Sequence, residues 1–418
     1  MAESGRCFLF LQGLAARFFA RLGEALAARG HVVRRVNFNG GDRAFWRLPG
    51  AIDFGGRAEA WPSFLEGLIG AWGISDIILF GDCRPLHRAA IAVARRHGLP
   101  AWVVEEGYLR PDWITFEQGG VNGYSALPRD PLWYRDEARR LPVWRDPPSL
   151  SGTFRRRATE DVYYWLASAL AARRFPHYAT HRPYFQLIEY AGWLRRLALQ
   201  RRGERQAAAA LAGLADCRDP IFLFPLQLDC DYQLRVHSPF QSVRAAIEMV
   251  LTSFAGHAAP ASRLVVKLHP LDSGIYDWAA MTRHAAVGVG VSDRLTILDG
   301  GSIDAALALS RGVVTINSTV GIRALTLGQA VIALGSAIYD MSGLTFQGDL
   351  DAFWSAGGPP DPSLLDAFRR VLAARALIPG SFFSKPGLKV AVDAAVARLE
   401  AAVETAHERA VPPALAAE

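Results

Sequence analysis

The chain has 418 residues, which is too long for one compact core and suits two domains with extensions. Hydrophobic residues make up 51% of the chain and charged residues 21%, which excludes an intrinsically disordered protein. The formal net charge of +6 suits an anionic partner, such as a nucleotide, a phospholipid surface or nucleic acid, and does not choose among these.

The four cysteines are scattered along the chain. Because none forms a CxxC pair, the sequence predicts neither a zinc site nor a disulfide framework. The N-terminus lacks the charged and then apolar pattern of a signal segment. Apolar runs stay shorter than the roughly 18 residues of a membrane-spanning helix. Together these features predict a cytoplasmic protein.

The first third of the chain alternates predicted strands and helices. Residues 8–11 form a strand, the next helix ends at Gly30, and residues 31–36 form a second strand, which is the size of a βαβ unit. Strands at 77–80 and 101–104 each lead into a polar loop that contains glycine. This order predicts a doubly wound parallel sheet with its site on one edge. The GxGxxG fingerprint of dinucleotide-binding proteins does not follow the first strand.

Arginine and aromatic residues are interspersed from about residue 131 to residue 206. We interpret this segment as helices that bridge the two halves of the chain. One hypothesis places the arginines and aromatics against anionic lipid headgroups. The alternative, which is the commoner arrangement, has solvated arginines and aromatics that pack inward.

The second half repeats the α/β order. Strands are predicted at residues 221–226, 263–268, 295–298, 312–316 and 330–334. Helices are predicted at residues 242–254, 303–309, from 322 onward, around 365–376 and at 387–402. Two Rossmann-like domains facing across a cleft are therefore predicted. We expect an N-terminal domain at 1–130, a helical bridge at 131–215, a second Rossmann-like domain at 216–345, and C-terminal helices and a tail at 346–418.

Polar residues crowd the end of the predicted strand at 221–226. Gln227, Asp229 and Asp231 follow it directly. Open α/β sheets bind ligands at the carboxyl ends of their strands, where a carboxylate can serve as a nucleophile or general base. Alternatively, both aspartates cap a turn or the next helix, which this stretch predicts about equally.

Two other strand ends in the second half carry residues that suit phosphate. The sequence NSTVG at 317–321 joins a strand to a helix, where free N–H groups either bind phosphate or are capped by Ser and Thr. Lys267 and His269 end a neighbouring predicted strand. A lone His is more often structural, but a phosphate site beside this Lys and His favours a functional role.

Glu105 and Glu106, with Arg110 nearby, end a strand of the first half, and we expect them across the cleft from Asp231. Facing carboxylates suit glycosyl chemistry, in which one acts as nucleophile and another as acid or base. A phosphate leaving group needs charge stabilisation more than a proton.

Taken in order, these motifs resemble the bacterial capsular polysaccharide β-Kdo transferases, which build the Kdo linker between a capsule and a phospholipid. The resemblance is to the shorter members with a single catalytic unit, which are associated with adding the first Kdo to (lyso)phosphatidylglycerol. It covers most of the chain, through FLFLQG at 8–13, NFNGGD at 37–42, EEGYLRP at 105–111 and GLTFQG at 343–348.

The resemblance implies roles for individual residues. The Gln-x-x-x-Asp motif of the family falls on Gln227 and Asp231, with Asp231 as the nucleophile, although the extra acid Asp229 leaves that choice open. A functional Glu falls on Glu105 or its neighbour Glu106. The implied catalytic residues are Asp231, Glu105 and His269. The donor-binding residues are Gln227, Lys267, Pro270, Asn317, Ser318, Thr319 and Gly321. The acceptor or cleft residues are Arg110, Glu106, Asn39 and Asn122.

The resemblance also implies a GT-B-like fold, a CMP-Kdo donor, retention of configuration, and neither metal nor cofactor. The expected partners are a phosphatidylglycerol-type acceptor, the cytoplasmic face of the inner membrane and other capsule assembly proteins, with no nucleic acid. Two alternatives remain open from the residues. One is a GT-B transferase or epimerase that uses another nucleotide sugar, and the other is a non-catalytic capsule-assembly protein.

Overall fold

The computed structural model describes residues 5–150, 152–180 and 186–410. In chain order, the strands of these residues are β1 (Cys7–Phe10), β2 (Val32–Asn37), β3 (Ala51–Asp53), β4 (Asp76–Phe80), β5 (Ala101–Glu106), β6 (Trp113–Gln118), β7 (Ile221–Pro225), β8 (Arg263–Lys267), β9 (Leu295–Leu298), β10 (Gly312–Thr315), β11 (Ala330–Ala333) and β12 (Leu377–Pro379).

The α-helices of the same residues are α1 (Phe18–Ala27), α2 (Gly40–Ala44), α3 (Trp61–Trp72), α4 (Pro85–Arg96), α5 (Pro131–Ala138), α6 (Phe154–Leu170), α7 (Gln186–Ala215), α8 (Tyr232–Val236), α9 (Val243–His257), α10 (Trp278–Gly288), α11 (Ile303–Leu309), α12 (Val320–Thr326), α13 (Leu350–Ala356), α14 (Pro362–Val371) and α15 (Lys385–Ala410). A π-helical turn, Leu372–Ala376, follows α14.

The chain forms two compact units, each built around one sheet. The first unit contains Met1–Ala126, Arg145–Ala179 and Leu372–Glu418, and the second contains Leu127–Trp144 and Thr180–Val371. The predicted segments 131–215 and 346–418 are therefore each divided between the two units. Each unit has the alternation of buried strands and covering helices that defines an α/β fold, which confirms the predicted fold class.

The sheet of the first unit, called here the first sheet, has the strand order β12-β6-β5-β4-β1-β2-β3. Strands β1 to β5 are parallel, as predicted, but β6 and β12 are antiparallel to their neighbours. The prediction of a wholly parallel sheet was wrong at this edge. The chain turns back after β5 to form β6, and β12 is a three-residue strand that arrives from the far end of the sequence.

The sheet of the second unit, called here the second sheet, has the order β11-β10-β7-β8-β9 and is parallel throughout. Every residue of its central strand β7 is buried. Such apolar strands are covered on both faces by helices, which is typical of parallel sheets. The order places the carboxyl ends of β10, β7 and β8 side by side.

The C-terminal helix α15 completes the core of the first unit. Its apolar residues Leu388, Val392 and Leu399 pack in one cluster with Phe18 and Leu22 of α1. Burial of this apolar surface stabilises a unit whose sheet is formed mainly by residues at the other end of the sequence.

Helices α2 and α6 approach closely, and two glycines make this possible. A Cβ on Gly40 would lie 2.2 Å from the Ala167 carbonyl oxygen, and one on Gly41 would lie 2.6 Å from the Tyr164 ring. The NFNGGD sequence at 37–42 therefore has a packing reason for its glycines, because any side chain there would push α6 away from the sheet.

Candidate functional site

The carboxyl edge of the second sheet gathers the predicted donor residues of that unit. Gln227, after β7, and Asn317, after β10, hold each other through paired amide hydrogen bonds. The Gln227 Nε2 donates to Asn317 Oδ1 at 2.9 Å, and the Asn317 backbone N–H donates to Gln227 Oε1 at 3.1 Å. The Asn317 Nδ2 also donates to the carbonyl of Gln233 in α8 at 2.7 Å. These two amides therefore fix the loops around the site.

Both aspartates after β7 cap helices, as one of the two sequence interpretations expected. Asp231 is the N-cap of α8 and accepts from the Gln233 backbone N–H at 2.9 Å. Asp229 accepts from the N–H of Val243, the first residue of α9, at 2.9 Å. Capping uses one oxygen of a carboxylate that has several acceptor positions, so it is compatible with a chemical role for the other oxygen.

Arg235 of α8 lies against Asp229. Its Nη2 is 3.6 Å from Asp229 Oδ2, and its Nε donates to the Asp229 carbonyl at 3.1 Å. The chain turns between Leu228 and Asp231, where the Asp231 backbone N–H donates to the Leu228 carbonyl at 3.0 Å.

Lys267 and His269 end β8, beside the loop that follows β7. Lys267 is buried, and its Nζ donates to the carbonyl of Gly300. Burial lowers the pKa of Lys267, and the nearby carboxylates of Glu204 and Asp299 oppose that shift. The Leu271 backbone N–H donates to His269 Nδ1 at 3.0 Å. This contact places the proton of the neutral ring on Nε2, which makes Nε2 a hydrogen-bond donor suited to a phosphate oxygen.

The loop from β10 to α12 holds Ser318, Thr319 and Gly321. The Ser318 Oγ accepts from the Val320 backbone N–H at 3.2 Å, and the Thr319 side chain makes no capping bond. A Cβ on Gly321 would lie 2.3 Å from the Tyr339 hydroxyl, so this glycine is required for packing against Tyr339. Contact of these residues with phosphate stays a prediction, as does that of the exposed Pro270 after β8.

The carboxyl edge of the first sheet contains a buried polar network around Tyr164 of α6. The Tyr164 hydroxyl accepts from Gln12 Nε2 and from Asn39 Nδ2, and it donates to Asp42 Oδ1, each at 2.9 Å. Arg35 Nη2 lies 3.3 Å from the same Asp42 oxygen. Burial raises the pKa of Asp42 and lowers that of Arg35, and the attraction between the two charges opposes both shifts.

This network assigns Asn39 a structural role that the sequence did not indicate. Its side chain is buried, and as the N-cap of α2 it accepts from the Asp42 backbone N–H at 2.9 Å. Gln12, Arg35, Asp42 and Tyr164 were not predicted as a group. In the sequence they are polar residues within or after β1 and β2, and folding adds Tyr164 of α6 from far along the chain.

Glu105 and Glu106 end β5 and have different partners. Glu105 Oε2 accepts from Asn122 Nδ2 at 2.8 Å. Glu106 forms ion pairs with Arg110 at 3.0 Å and with Arg157 of α6 at 2.5 Å. Two arginines therefore hold Glu106 as a charge partner, whereas Glu105 is held by an amide. The choice between Glu105 and Glu106 as the functional residue stays a prediction.

A buried carboxyl group on β6, Glu117, supports Glu105 indirectly and was missed in the sequence. It accepts from the Tyr108 hydroxyl at 2.6 Å and from the Ser125 hydroxyl. The Tyr108 oxygen in turn accepts from the Asn122 backbone N–H at 2.6 Å. Burial raises the pKa of Glu117 to about 7, and the hydrogen bonds from Ser125 and Tyr108 limit the shift. The sequence did offer a signal for it. Apolar and polar residues alternate in β6, within the region that was interpreted as a loop.

The comparisons with known proteins agree with these motifs. The family model described as capsule polysaccharide biosynthesis protein matches residues 75–383. The chain belongs to this capsule polysaccharide biosynthesis family. The capsule polysaccharide export protein KpsS of Escherichia coli is 34% identical over 385 residues, covering 91% of this chain and 97% of KpsS. The capsule polysaccharide modification protein LipB of Neisseria meningitidis serogroup A is 33% identical over 394 residues, covering 92% and 93%.

Among solved structures, this family member is similar to the KpsC beta Kdo 2,7 transferase of Thermosulfurimonas dismutans. The similarity has a TM-score of 0.43 at 14% identity and covers 94% of this chain and 99% of that one. A likeness this distant carries no argument about activity. Across the described parts of the chain, no helix combines the length and apolar character needed to cross a bilayer.

Proposed function

We propose that this protein is a retaining β-Kdo glycosyltransferase, which moves Kdo from CMP-Kdo to a phosphatidylglycerol-type lipid in capsule linker synthesis. Membership of the capsule family supports the pathway. The observation that carries the proposal is the clustering of motif residues on the second sheet. Loops from the adjacent strands β10, β7 and β8 bring Asn317, Gln227, Asp231 and His269 to one edge, which is where open α/β sheets bind their ligands.

In the proposed reaction the donor binds first at this edge. The His269 Nε2–H and the N–H groups at the start of α12 donate to the cytidylate phosphate, with Lys267 nearby as a positive charge. The carboxylate of Asp231 attacks the anomeric carbon of Kdo. A bond forms between Asp231 and Kdo, and the bond from that carbon to the phosphate oxygen breaks, so that CMP leaves with the electron pair.

The second step restores the enzyme. A hydroxyl of the lipid acceptor attacks the same carbon from the side opposite Asp231 and displaces it. Glu105 is proposed as the group that removes the hydroxyl proton, with Asn122 holding its carboxylate. Two inversions give net retention of configuration. The site for the acceptor, with Arg110 and Glu106, belongs to the first unit, and the reaction would take place at the cytoplasmic face of the inner membrane.

The decisive experiment incubates the purified protein with CMP-Kdo and a short-chain phosphatidylglycerol, followed by mass spectrometry of the lipid. We expect the lipid to gain the mass of one Kdo residue, and CMP to be released. Parallel reactions with UDP-sugars test the other nucleotide-sugar reading. If the protein transferred or epimerised a UDP-sugar but did not turn over CMP-Kdo, its substrate would be that UDP-sugar. Absence of turnover with every donor, in protein shown to be folded, would contradict catalysis and favour an assembly role.

A further inference from the structure

A groove of about 590 Å³ lies on the first unit where α1, α6 and α15 begin. We call it the basic groove because basic side chains dominate its lining. Its residues are Arg17, Arg21, Arg156, Glu160, Lys385, Leu388, Lys389, Val392 and Asp393. Only three of the 46 basic residues of the chain are lysines, and two of those three are here. The groove plays no part in the transfer reaction proposed above.

The acids of the basic groove are already paired within it. Glu160 accepts from Arg156 Nε at 3.1 Å, and Asp393 accepts from Lys389 Nζ at 2.7 Å. The exposed side chain of Arg17 and the exposed Lys385 have no carboxylate partner among the described residues. The groove therefore carries excess positive charge that the described fold does not neutralise.

The helix ends add to this positive charge. Helices α1, α6 and α15 have no acidic residue in their first turns. A helix N-terminus carries a partial positive charge, which proteins usually balance with Asp or Glu. Here Arg17, Arg156 and Lys385 stand at those ends instead. The positive ends of three helices and these basic side chains therefore meet at the basic groove.

An apolar stripe adjoins the basic groove on α6. Its exposed residues lie on three successive turns and are Val162, Tyr163, Leu166 and Leu170. Leu170 is 82% exposed, whereas the Tyr164 and Trp165 side chains on the opposite side of α6 are buried. At about 100° per residue the stripe projects next to the side that carries Arg156. A helix with apolar residues beside a basic surface suits the boundary between headgroups and acyl chains.

We infer that the basic groove and the α6 stripe together dock the protein onto an anionic phospholipid bilayer. Lipid phosphates occupy the groove, and the stripe enters the interface. The apolar stripe distinguishes a bilayer from a soluble polyanion, and the choice of a phospholipid also rests on the lipid acceptor of the proposed function. Of the two interpretations of the Arg-aromatic segment, α6 combines both, since Tyr164 and Trp165 pack inward while Tyr163, whose ring also contacts Phe45, stays half exposed.

The test measures binding of the full chain to vesicles by co-sedimentation. The vesicles contain equal parts of phosphatidylcholine and phosphatidylglycerol, or phosphatidylcholine alone. The groove variant is Arg17→Glu with Lys385→Glu. It should lose more than about tenfold in partitioning onto the anionic vesicles, since each basic residue near such a surface contributes roughly a factor of five. Acids at these helix N-termini suit the helix dipole, so the unfolding temperature should not fall.

The matched control is Arg47→Glu with Arg57→Glu, two exposed arginines of the same unit that lie outside the groove. It changes the net charge equally and should keep most of the binding. Leu166→Ser with Leu170→Ser should weaken binding at every salt concentration, whereas the groove contribution should fade as salt rises. Equal losses in the groove and control variants would overturn the inference, as would unchanged binding by the groove variant. A dimer broken by the stripe variant would assign the stripe to a second copy.

Hydrolysis of CMP-Kdo without lipid separates this inference from the proposed function. The groove variant should hydrolyse the donor at the wild-type rate. If wild-type protein never turns over CMP-Kdo but its vesicle binding depends on the groove, the transfer proposal fails and the docking surface stands. If turnover occurs and the groove variant binds vesicles normally, the docking surface fails alone.

Discussion

The carboxyl edges of the two sheets carry similar residue types in different arrangements. On the first sheet, Arg35, Asp42 and Tyr164 are buried and satisfy one another. On the second sheet, Asp231 and His269 are partly exposed and are held by backbone N–H groups of their own loops. Side-chain networks of the first kind rigidify a fold. Side chains of the second kind lie at the sheet edge where open α/β sheets bind their ligands.

This difference teaches that a polar cluster at a strand end is not in itself a site. The same position in an α/β sheet serves stability in one unit and suits ligand binding in the other. Burial and the identity of the partners distinguish the two uses. Changes in the first network should therefore alter stability, and changes on the second edge should alter chemistry, which gives the comparison four tests.

The largest expected effect is on catalysis at the second edge. Asp231→Asn should keep the cap of α8, because Asn is as good an N-cap as Asp, but its amide cannot form the glycosyl ester readily. We expect Kdo transfer to fall by more than about a thousandfold, which is roughly 4 kcal/mol of transition-state free energy. CMP-Kdo binding should be retained, as measured by calorimetry.

Asp229→Asn is the matched control for that variant, since it also keeps an acceptor for a helix N-terminus. It should retain substantial activity. Intact-mass analysis of wild-type protein with CMP-Kdo and no acceptor should show a Kdo adduct that maps to Asp231. An adduct on Asp229 would exchange the two roles. Near-normal turnover of Asp231→Asn with no adduct would rule out double displacement.

The next effect tests the first network through a hydroxyl. Tyr164→Phe removes three hydrogen bonds and leaves Gln12, Asn39 and Asp42 short of a partner in a buried place. The free energy of unfolding should fall by about 3 kcal/mol in chemical denaturation. Tyr339→Phe, which removes the bond to the Ser318 carbonyl and one with the Thr315 side chain in the second unit, should cost less, about 1–2 kcal/mol. Similar losses of unfolding free energy in both variants would contradict the contrast drawn between the two sheets.

The third effect is a pH dependence of stability in the first unit. The pKa of Glu117 is raised from 4.5 to about 7 in the folded protein, so the folded state holds a proton that the unfolded state has released. Its contribution to stability is therefore greatest at low pH and is lost as pH rises through this window. The loss amounts to about 3 kcal/mol by pH 7 and above.

Glu117→Gln removes this titration, because the amide resembles the protonated acid. The wild-type free energy of unfolding should decline relative to that of the variant between pH 4.5 and about 7. The measurement is the difference between the wild-type and variant free energies of unfolding, because His87 changes the stability of both proteins with pH in the opposite direction. Burial lowers the pKa of His87 to about 3, so its contribution is lost as pH falls. Parallel curves for the two proteins would mean that Glu117 is ionised in the folded state.

The smallest effect concerns donor affinity. His269→Ala should weaken CMP binding by about tenfold, because a charge-assisted hydrogen bond to phosphate is worth roughly 1.5–3 kcal/mol. His257→Ala on α9 is the control, since that half-exposed ring bonds only within its own unit. Calorimetry should show unchanged affinity in the control. Equal affinity in both variants would remove His269 from the phosphate site.

The sequence by itself determined the α/β class, most strand positions and the motif residues after β7, β8 and β10. These features are local, because a buried strand and the loop that follows it leave a pattern within a few residues. It also predicted capping by Asp229 and Asp231 as one of two alternatives, since capping depends on neighbouring N–H groups.

Only the tertiary structure decided the antiparallel strand β12, the network around Tyr164 and the grouping of α15 with α1. Each of these depends on residues far apart in the chain, and neither periodicity nor spacing records such contacts. The basic groove is the same kind of feature. Its charges come from three separate helix starts, and their sum exists only because folding brings those helices together.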